Sequence, residues 1–401
     1  MRRIHQLIIA LKQPYHIGQG VLAYLLFGLF RRKLTIIGVT GTDGKTTTST
    51  MVYHILRAAG KKVALITTVA AFIGDEEIDT GFHVTSPSPF ALHRLLNRIA
   101  KKDYTHVVLE VTSHGIHQLR LFGIRPNVAI LTNITHEHLD YHGTYERYAD
   151  VKASFLASAR IAIINRTDQS FKRVREYLRK KLTRVIEYDL HKTDPKVRAY
   201  LLRRFHETYN RENALAAITA CMQMHISTEY CMKGLDIFHG VRGRMEEIAN
   251  EKNMMVVVDF AHTPNALERA LLSLKSRLKP GQRLIAVFGC AGLRDYTKRP
   301  MMGKIASELA DEAVFTAEDP RTEDVNVIIR QMKEGVIKNW GHMHEMPDRR
   351  KAIQFAITRL ARPGDIVGIF GKGHERSMNL DGKHELAWSD QDEVKAALSL
   401  R

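Results

Sequence analysis

A glycine-rich loop at residues 37–47 carries the clearest chemical signal in this sequence. It reads Ile-Gly-Val-Thr-Gly-Thr-Asp-Gly-Lys-Thr-Thr and joins a predicted strand to a predicted helix. Glycines let backbone N–H groups converge on phosphate oxygens, and a helix N-terminus adds partial positive charge. Lys45 can reach the β- and γ-phosphates of a nucleotide, and the Thr46 hydroxyl can be a ligand of Mg²⁺. Val39 stands where the common pattern has its first glycine, so we interpret the segment as a variant phosphate loop.

Two polar segments that follow later strands provide a second group of candidate residues. Glu110 ends one predicted strand, and Asn133 follows the next. In open α/β sheets, ligands bind beyond the C-terminal ends of the strands, where carboxylate oxygens suit Mg²⁺. Further along the chain lie three histidines and a helix lysine: His136, His138, His142 and Lys152. Because the histidine spacing does not match a closed zinc site, we expect magnesium there.

The elements that must position these residues alternate along the chain. The first series comprises predicted strands at 34–39, 62–67, 105–110, 128–132 and 160–165, with helices at 47–59 and 89–101. The second series comprises strands at 255–259, 283–288, 313–316 and 365–370, with helices at 265–278 and 300–310. Such alternation is typical of doubly wound parallel sheets.

The sequence therefore predicts an α/β fold with two tandem domains. We expect a central domain with a P-loop-type parallel sheet over residues 34–241, and a C-terminal Rossmann-like domain over 242–401. A junction rich in glycine and arginine at 240–244 could serve as the hinge between them.

The composition is that of a globular protein with a local excess of positive charge. The 401 residues carry a formal net charge of +17, and 44% of them are hydrophobic. Residues 1–33 contain six Lys or Arg and no acid, and residues 172–204 contain twelve against four acids, so these segments hold +14 of the excess. Because this charge is local and aromatic stacking motifs are lacking, we expect no nucleic-acid partner. The three cysteines have no metal or disulfide spacing, which fits reduced thiols in the cytoplasm.

The first 33 residues form a basic and apolar segment of their own. Eighteen uncharged residues lie between Lys12 and Arg31, but only residues 21–30 are continuously apolar. This run is too short to cross a bilayer, and no signal-peptide cleavage site follows it. Two interpretations stay open: an interfacial helix at a membrane surface, or a helix packed on the central domain.

A series of motifs from about residue 34 to near the C-terminus resembles the Mur ligases, the ATP-dependent amide-bond-forming enzymes of peptidoglycan synthesis. The earlier motifs are the loop at 41–47, the boxes at 110–114 and 136–142, Asn210, Asn213 and Arg244. The later ones are Asp-Phe-Ala-His-Thr-Pro at 259–264, Phe-Gly-Cys-Ala-Gly-Leu-Arg-Asp at 288–295, Lys-Arg-Pro at 298–300 and Gly-Lys-Gly-His-Glu at 371–375. Within the family, the best match is the member that adds the third residue of the stem peptide.

The resemblance implies a reaction with two steps. The γ-phosphate of ATP moves onto a substrate carboxylate, and an amino group then attacks the resulting acyl phosphate. Positioning and charge neutralisation provide most of the catalysis in such chemistry. By this resemblance, the catalytic residues are Lys45, Glu110, His138 and Lys152. Mg²⁺ would be held by Thr46, Glu110, His138 and Lys152, with the lysine carbamylated to N6-carboxylysine.

The resemblance also implies which residues bind each substrate. ATP would contact Gly41, Thr42, Asp43, Gly44, Lys45, Thr46, Thr47, Asn210, Asn213, Arg244 and Asp259. The muramyl peptide would contact Thr85, Ser86, Thr112, Gln118 and Arg120. The incoming amino acid would contact Arg294, Asp319, Pro320, Arg321, Gly371 and Glu375.

The identity of the incoming amino acid depends on two of these positions. Family members that add meso-diaminopimelate usually read Asp-Asn-Pro-Arg where this chain reads Glu-Asp-Pro-Arg at 318–321. Retention of Arg321 favours an amino acid with a distal carboxylate, whereas the extra negative charge of Asp319 favours a diamine. We therefore expect meso-diaminopimelate, with lysine and ornithine as alternatives.

The start of the chain departs from the family pattern. We expect the usual N-terminal UDP-binding domain to be lacking and residues 1–33 to stand in its place. The muramyl substrate is then either soluble UDP-muramyl-dipeptide or a lipid-linked equivalent, with peripheral membrane contact through residues 1–33. We expect a cytoplasmic monomer, placed at the inner face of the membrane in the second case. Other functions considered are amidation of a lipid-linked precursor, folylpolyglutamate synthesis, a non-catalytic scaffold and a basic P-loop nucleic-acid ATPase.

Overall fold

Apolar strands that alternate with helices build a mainly parallel sheet in each half of the chain. The computed structural model describes residues 13–28, 34–67, 70–74, 76–78, 88–135, 139–338 and 340–400. The chain divides into two units, Met1–His239 and Gly240–Arg401. The predicted fold class, two α/β domains in tandem, is confirmed.

The first unit contains the larger sheet. Its strands are β1 Thr35–Thr40, β2 Val63–Ile66, β3 Ala71–Ile73, β4 Glu76–Ile78, β5 His106–Glu110, β6 Val128–Leu131, β7 Ile161–Asn165 and β8 Arg184–Tyr188. Its helices are α1 Gln13–Phe27, α2 Lys45–Ala58, α3 Pro89–Lys101, α4 Ser113–His117, α5 Leu139–His142, α6 Tyr145–Ala157, α7 Phe171–Arg179, α8 Pro195–Arg204, α9 Thr208–Met222 and α10 Thr228–Asp236. Within the described residues the strand order is β4-β3-β2-β5-β1-β6-β7-β8, and all pairs are parallel except β2–β3 and β3–β4.

The central position of β1 determines where the site lies. Its register pairs Val39 with Glu110 of β5 on one side and Thr40 with Leu131 of β6 on the other. The C-terminal ends of three strands therefore meet where the phosphate loop begins, as expected for a ligand site in an open α/β sheet. Helix α2 begins at Lys45, two residues before the predicted start, because Gly44 just before it has a left-handed φ of 78° and ends the loop.

The second unit is built around its own sheet. Its strands are β9 Glu246–Glu247, β10 Met255–Asp259, β11 Leu284–Phe288, β12 Glu312–Phe315, β13 Met343–Glu345, β14 Ile366–Phe370, β15 Ser377–Asn379 and β16 Glu385–Ala387. Its helices are α11 Pro264–Lys275, α12 Lys298–Leu309, α13 Val325–Lys333, α14 Arg349–Phe355, which continues as a π-helix over Ala356–Leu360, and α15 Asp390–Ser399. In the described part, the main sheet has the order β13-β12-β11-β14-β10-β9, and β15 and β16 form a separate hairpin.

Helix α1 packs on the first unit. The Tyr24 ring lies 6.3 Å from the Phe122 ring and 6.4 Å from the His93 ring, measured between centroids. A Cβ at Gly20 would lie 2.6 Å from Phe122 Cβ, so the glycine permits close approach of the helix. One side of the helix at residues 13–27 thus packs on the first unit. Across the described ranges, we find no helix with the length and apolarity needed to span a bilayer.

Candidate active site

The phosphate loop has a geometry that only glycine permits at two positions. A Cβ at Gly41 would lie 1.8 Å from Thr132 Oγ1, and a Cβ at Gly44 would lie 2.3 Å from Asn213 Oδ1. The Thr132 hydroxyl donates to the Asp43 carbonyl at 2.6 Å, which ties the loop to the end of β6. Among the described residues, no side chain caps the N-terminus of α2. This helix end can therefore bind an anion such as a nucleotide phosphate.

Two lysine side chains donate hydrogen bonds to backbone carbonyls of the phosphate loop. Lys45 Nζ donates to the Thr42 carbonyl at 2.6 Å, and Lys152 Nζ donates to the Gly41 carbonyl at 2.6 Å. Lys152 projects from α6 and is only 1% exposed, with its ammonium 4.6 Å from the centre of the Tyr148 ring. The structure therefore brings Lys152 to the loop, although the two are more than 100 positions apart in the sequence.

Thr46 and Glu110 form a buried oxygen pair at the start of α2. The Thr46 hydroxyl donates to Glu110 Oε2 at 2.9 Å, and the two residues are 3% and 4% exposed. A hydroxyl and a carboxylate beside a phosphate loop fit Mg²⁺, which usually takes one or two protein ligands and completes its shell with phosphate and water. Within the described ranges, no group of three or more His, Cys, Asp or Glu side chains could hold a metal by itself. His138 lies outside the described residues.

The predicted muramyl-peptide residues fall partly within the structure. Thr85 and Ser86 lie outside the described residues. Thr112 caps α4, where its Oγ1 accepts from the Gly115 N–H at 3.1 Å. Arg120 Nε donates to Gln118 Oε1 at 2.9 Å, so these two side chains lie together.

The two predicted adenine-side residues lie on the first turns of α9. Asn213 is 6% exposed and lies against Gly44, next to the phosphate loop. Asn210 Nδ2 donates to Glu207 Oε2 at 3.1 Å. The structure thus brings Asn213 to the loop, whereas Asn210 contacts its own helix end.

In the second unit, the predicted nucleotide residues are held by short-range contacts. The Arg244 guanidinium carbon lies 4.5 Å from the centre of the Phe260 ring. Asp259 Oδ2 accepts from the Met245 N–H at 2.7 Å, and Oδ1 accepts from the Ala261 N–H at 2.8 Å. These bonds fix the carboxylate at the end of β10. Burial, aided by the nearby charge of Arg244, lowers the pKa of His374 to about 3, so this imidazole is neutral at physiological pH.

Two of the predicted amino-acid residues, Asp319 and Glu375, pair with a lysine that the sequence argument did not assign. Lys372 is 1% exposed, and its ammonium lies 2.8 Å from Asp319 Oδ1 and 2.5 Å from Glu375 Oε2. Burial alone would lower the pKa of Lys372, but the Glu375 and Asp319 carboxylates outweigh burial and raise it. Burial raises the pKa of the neighbouring Glu318 carboxyl. Lys372 therefore shares its single positive charge between the Asp319 and Glu375 carboxylates.

The remaining members of this group lie on the segments after β11, β12 and β14. Arg321 has a left-handed φ of 55°, and its guanidinium donates to the Gly292 carbonyl at 2.6 Å. Gly371 has a φ of 113°, and a Cβ there would lie 3.3 Å from Glu318 Cγ. Pro320 is buried between Asp319 and Arg321, and Arg294 is exposed on the loop after β11.

Sequence reasoning missed three residues that the structure places at these sites. Thr132 and Tyr148 both bond to the phosphate loop, the latter with its hydroxyl 3.1 Å from Thr42 Oγ1. Lys372 was noted only as part of a motif. A polar residue at the end of an apolar strand was available as a signal for Thr132, but a tyrosine inside an amphipathic helix gives no such signal.

This fold and this loop define a nucleotide-binding α/β protein. Sequence comparison shows two family matches, the Mur ligase middle domain over residues 39–227 and the Mur ligase, glutamate ligase domain over residues 243–373. A UDP-N-acetylmuramoyl-L-alanyl-D-glutamate–2,6-diaminopimelate ligase of Geobacillus kaustophilus is 34% identical over 410 residues, covering 96% of this chain and 83% of that protein. The protein of the same name from Chromobacterium violaceum is 36% identical over 389 residues, covering 90% and 77%. The chain belongs to the Mur ligase family.

Solved structures agree with this assignment. A structure with the same ligase name is 32% identical and has a TM-score of 0.59, covering 91% of this chain and 78% of that one. A bifunctional folylpolyglutamate synthase/dihydrofolate synthase from Yersinia pestis has a TM-score of 0.68 at 18% identity, covering 88% and 90%, and shows the shared fold alone. The predictions of the family and of an ATP- and Mg²⁺-dependent ligase are confirmed.

Proposed function

We propose that the chain adds meso-diaminopimelate to a muramoyl-L-Ala-D-Glu peptidoglycan precursor, as an ATP-dependent, ADP-forming amide ligase. The observation that carries this proposal is the identity of 34–36% to relatives named for that reaction, over 90–96% of the chain. In the proposed reaction, the substrate carboxylate attacks the γ-phosphorus of ATP, ADP leaves, and an acyl phosphate forms. The amino group of the incoming amino acid then attacks the acyl carbon, and phosphate leaves.

The phosphate loop would bind and orient the nucleotide. Backbone N–H groups at the start of α2 face the phosphates, and Lys45 leaves the Thr42 carbonyl to neutralise the transferred phosphate. Thr46 and Glu110 would hold Mg²⁺, and His138 is proposed as a further ligand. When bound, the metal would neutralise charge on the phosphate oxygens.

Carbamylation of Lys152 is part of this proposal. The side chain is 1% exposed and reaches the loop backbone at the Gly41 carbonyl. The neutral amine of a lysine reacts with carbon dioxide to form an N–C bond, and the reaction releases one proton. The product is a carboxylate on the loop side of α6, which suits a metal ligand.

The choice of amino acid follows from the charges around Lys372. Lys372 pairs with both Asp319 and Glu375, so it offsets part of the negative charge that Asp319 adds and that would favour a diamine. Arg321 can pair with a distal carboxylate in a forked geometry. These contacts support diaminopimelate over lysine and ornithine, which lack that carboxylate. Gln118 and Arg120 would take the muramyl peptide, together with Thr85, Ser86 and Thr112.

The cellular setting is the finer part of the proposal. We place the chain in the cytoplasm as a monomer, with peripheral contact to the inner face of the membrane through residues 1–33. The basic charge of that segment and the apolar helix within it support this contact. The muramyl substrate would be UDP-linked or lipid-linked.

ADP release tests the proposed reaction. The full chain is assayed with ATP, Mg²⁺, UDP-muramyl-Ala-Glu and either diaminopimelate, lysine or ornithine. We expect stimulation by diaminopimelate, and loss of turnover in Lys45→Ala but not in Lys61→Ala, which removes an exposed lysine just beyond the other end of α2. Failure of all three amino acids to stimulate ADP release would refute a tripeptide ligase, and preference for lysine or ornithine would refute the diaminopimelate assignment.

A further inference from the structure

Helix α1 presents an exposed apolar face on the side away from its packed residues. The face consists of Tyr15, Leu22, Leu25 and Leu26, which are 64%, 50%, 65% and 59% exposed. Their spacing places them on one side of an α-helix. We call these four residues the leucine face. Clustered exposed leucines of this kind mark a surface that binds a partner or a membrane.

The opposite side of the same helix is fixed to the first unit. Ala23 is fully buried, and Tyr24 packs on Phe122 and His93. The ring of Phe27 lies 5.6 Å below the Arg94 guanidinium carbon. The residues of the leucine face are therefore exposed on a helix whose opposite side packs on the first unit. They take no part in that packing.

The charged residues that flank the helix in the sequence indicate which partner binds the leucine face. Residues 13–27 contain no charged side chain, whereas residues 1–33 as a whole contain six Lys or Arg and no acid. An uncharged apolar helix flanked by cations in the sequence matches a helix that docks on an anionic bilayer, because cations attract anionic headgroups. A protein partner would have to match the same cations with acidic groups around an apolar groove.

The leucine face also lies on the helix that borders the muramyl-peptide residues. A Cβ at Gly20 would lie 3.2 Å from the Leu119 carbonyl, between Gln118 and Arg120 in the sequence. The leucine face is therefore carried by a helix that contacts the segment containing Gln118 and Arg120.

We propose that the leucine face docks on an anionic lipid bilayer and brings the first unit to a muramyl peptide anchored in that bilayer. Binding of the leucine face to a bilayer is inferred from the geometry of α1. Delivery of a lipid-linked muramyl peptide rests in addition on the proposed function. The class of substrate is a muramyl peptide on a lipid carrier, presented beside Gln118 and Arg120.

Vesicle sedimentation of the full chain tests the docking. The vesicles are either a phosphatidylglycerol–phosphatidylcholine mixture or phosphatidylcholine alone. We expect the wild-type chain to sediment with the anionic vesicles only, and less so at high salt. The variant with Leu22→Asn, Leu25→Asn and Leu26→Asn should lose binding by at least about tenfold.

A matched variant changes exposed apolar side chains elsewhere on the first unit. Leu182→Asn, Leu202→Asn and Met222→Asn alter residues that are 108%, 48% and 45% exposed, and this variant should bind vesicles like the wild type. Equal sedimentation of both variants, or no sedimentation of the wild type, would overturn the proposal. So would a wild-type dimer that the leucine-face variant converts to monomer, since the face would then bind a second copy.

ADP release on a soluble and on a vesicle-embedded substrate distinguishes a failure of membrane docking from a failure of the proposed ligase reaction. The leucine-face variant should keep wild-type ADP release with soluble UDP-muramyl-Ala-Glu and lose it with a muramyl dipeptide embedded in vesicles. Equal loss on both substrates would contradict delivery from the bilayer. Vesicle binding without turnover on either substrate would refute the proposed reaction and leave the docking intact.

Discussion

Two glycines at the ends of α2 allow the phosphate-loop geometry to be tested with a matched pair of substitutions. Gly44 precedes the helix with a φ of 78°, and Gly60 follows it with a φ of 73°. Alanine in a left-handed conformation costs roughly 1–2 kcal/mol at either position. The surroundings differ, because a Cβ at Gly60 meets no atom within 4 Å, whereas one at Gly44 lies 2.3 Å from Asn213 Oδ1 and 3.0 Å from its Cγ.

The contact adds a second cost at Gly44 alone. Asn213 is 6% exposed, so its side chain has little room to move, and overpacking of this kind costs roughly 1–3 kcal/mol. Gly44→Ala should therefore destabilise the first unit by about 2–5 kcal/mol and Gly60→Ala by about 1–2 kcal/mol. If half of the extra cost, about 0.5–1.5 kcal/mol, appears as displacement of the loop, the KM for ATP should rise by roughly 2- to 13-fold in Gly44→Ala and stay near wild type in Gly60→Ala.

Two measurements compare the Gly44→Ala and Gly60→Ala variants. Hydrogen exchange of α2 peptides reports local stability in the first unit, and ADP release at varied ATP reports nucleotide binding. Equal effects of the two substitutions on both measurements would refute the contact between Gly44 and Asn213. It would also remove the reason for placing Asn213 at the nucleotide.

Three further predictions concern Lys152 and two ion pairs of the second unit. Lys152→Ala should lower turnover by roughly 100-fold, and acetate or propionate should restore part of it by supplying the missing carboxylate; no rescue would count against a carbamate. Hydrogen bonding to Arg299 lowers the pKa of Glu323 to about 2, but solvent screens this partly exposed carboxylate, so the unfolding free energy should fall by roughly 1 kcal/mol as the pH drops from about 4.5 to 2. Glu323→Gln should flatten this dependence in urea titrations. Asp390 is fully buried and accepts two hydrogen bonds from Arg349. Asp390→Asn should therefore lower the unfolding free energy by about 3–5 kcal/mol, measured by tryptophan fluorescence. A loss below about 1 kcal/mol would contradict a buried ion pair.

Strands were the most predictable part of the fold. Each of the nine strands predicted from apolar runs is present, with ends that differ from the prediction by at most one residue. The reason is that buried parallel strands consist of nearly continuous apolar residues, as in TIIGVT of β1 and VVVD at the end of β10.

Helix starts and short strands were harder to predict. Helix α12 begins at Lys298, two residues before the predicted start, because a proline is tolerated in the first turn of a helix and does not have to be its first residue. The β3–β4 hairpin and β8 were missed. β3 and β4 are three residues long. β8 lies at the sheet edge, where most of its residues are half-buried and two of the five are charged.

The candidate site was predictable where residues are close in sequence, and less so across the fold. The loop at 41–47 could be recognised locally, and the pairing of Thr46 with Glu110 follows from adjacent parallel strands. The ion pairs of Lys372 with Asp319 and Glu375 could not be predicted in the same way. They depend on the exact approach of the loops after β12 and β14, which side-chain packing decides.

The mass of the muramyl product tests the central claim most directly. The full chain is incubated with ATP, Mg²⁺, UDP-muramyl-Ala-Glu and an equimolar mixture of diaminopimelate, lysine and ornithine, and the muramyl species are separated and weighed by mass spectrometry. We predict one new species, heavier by one diaminopimelate residue, that accumulates in step with ADP. A muramyl substrate of unchanged mass, or a product that carries lysine or ornithine, would contradict the account.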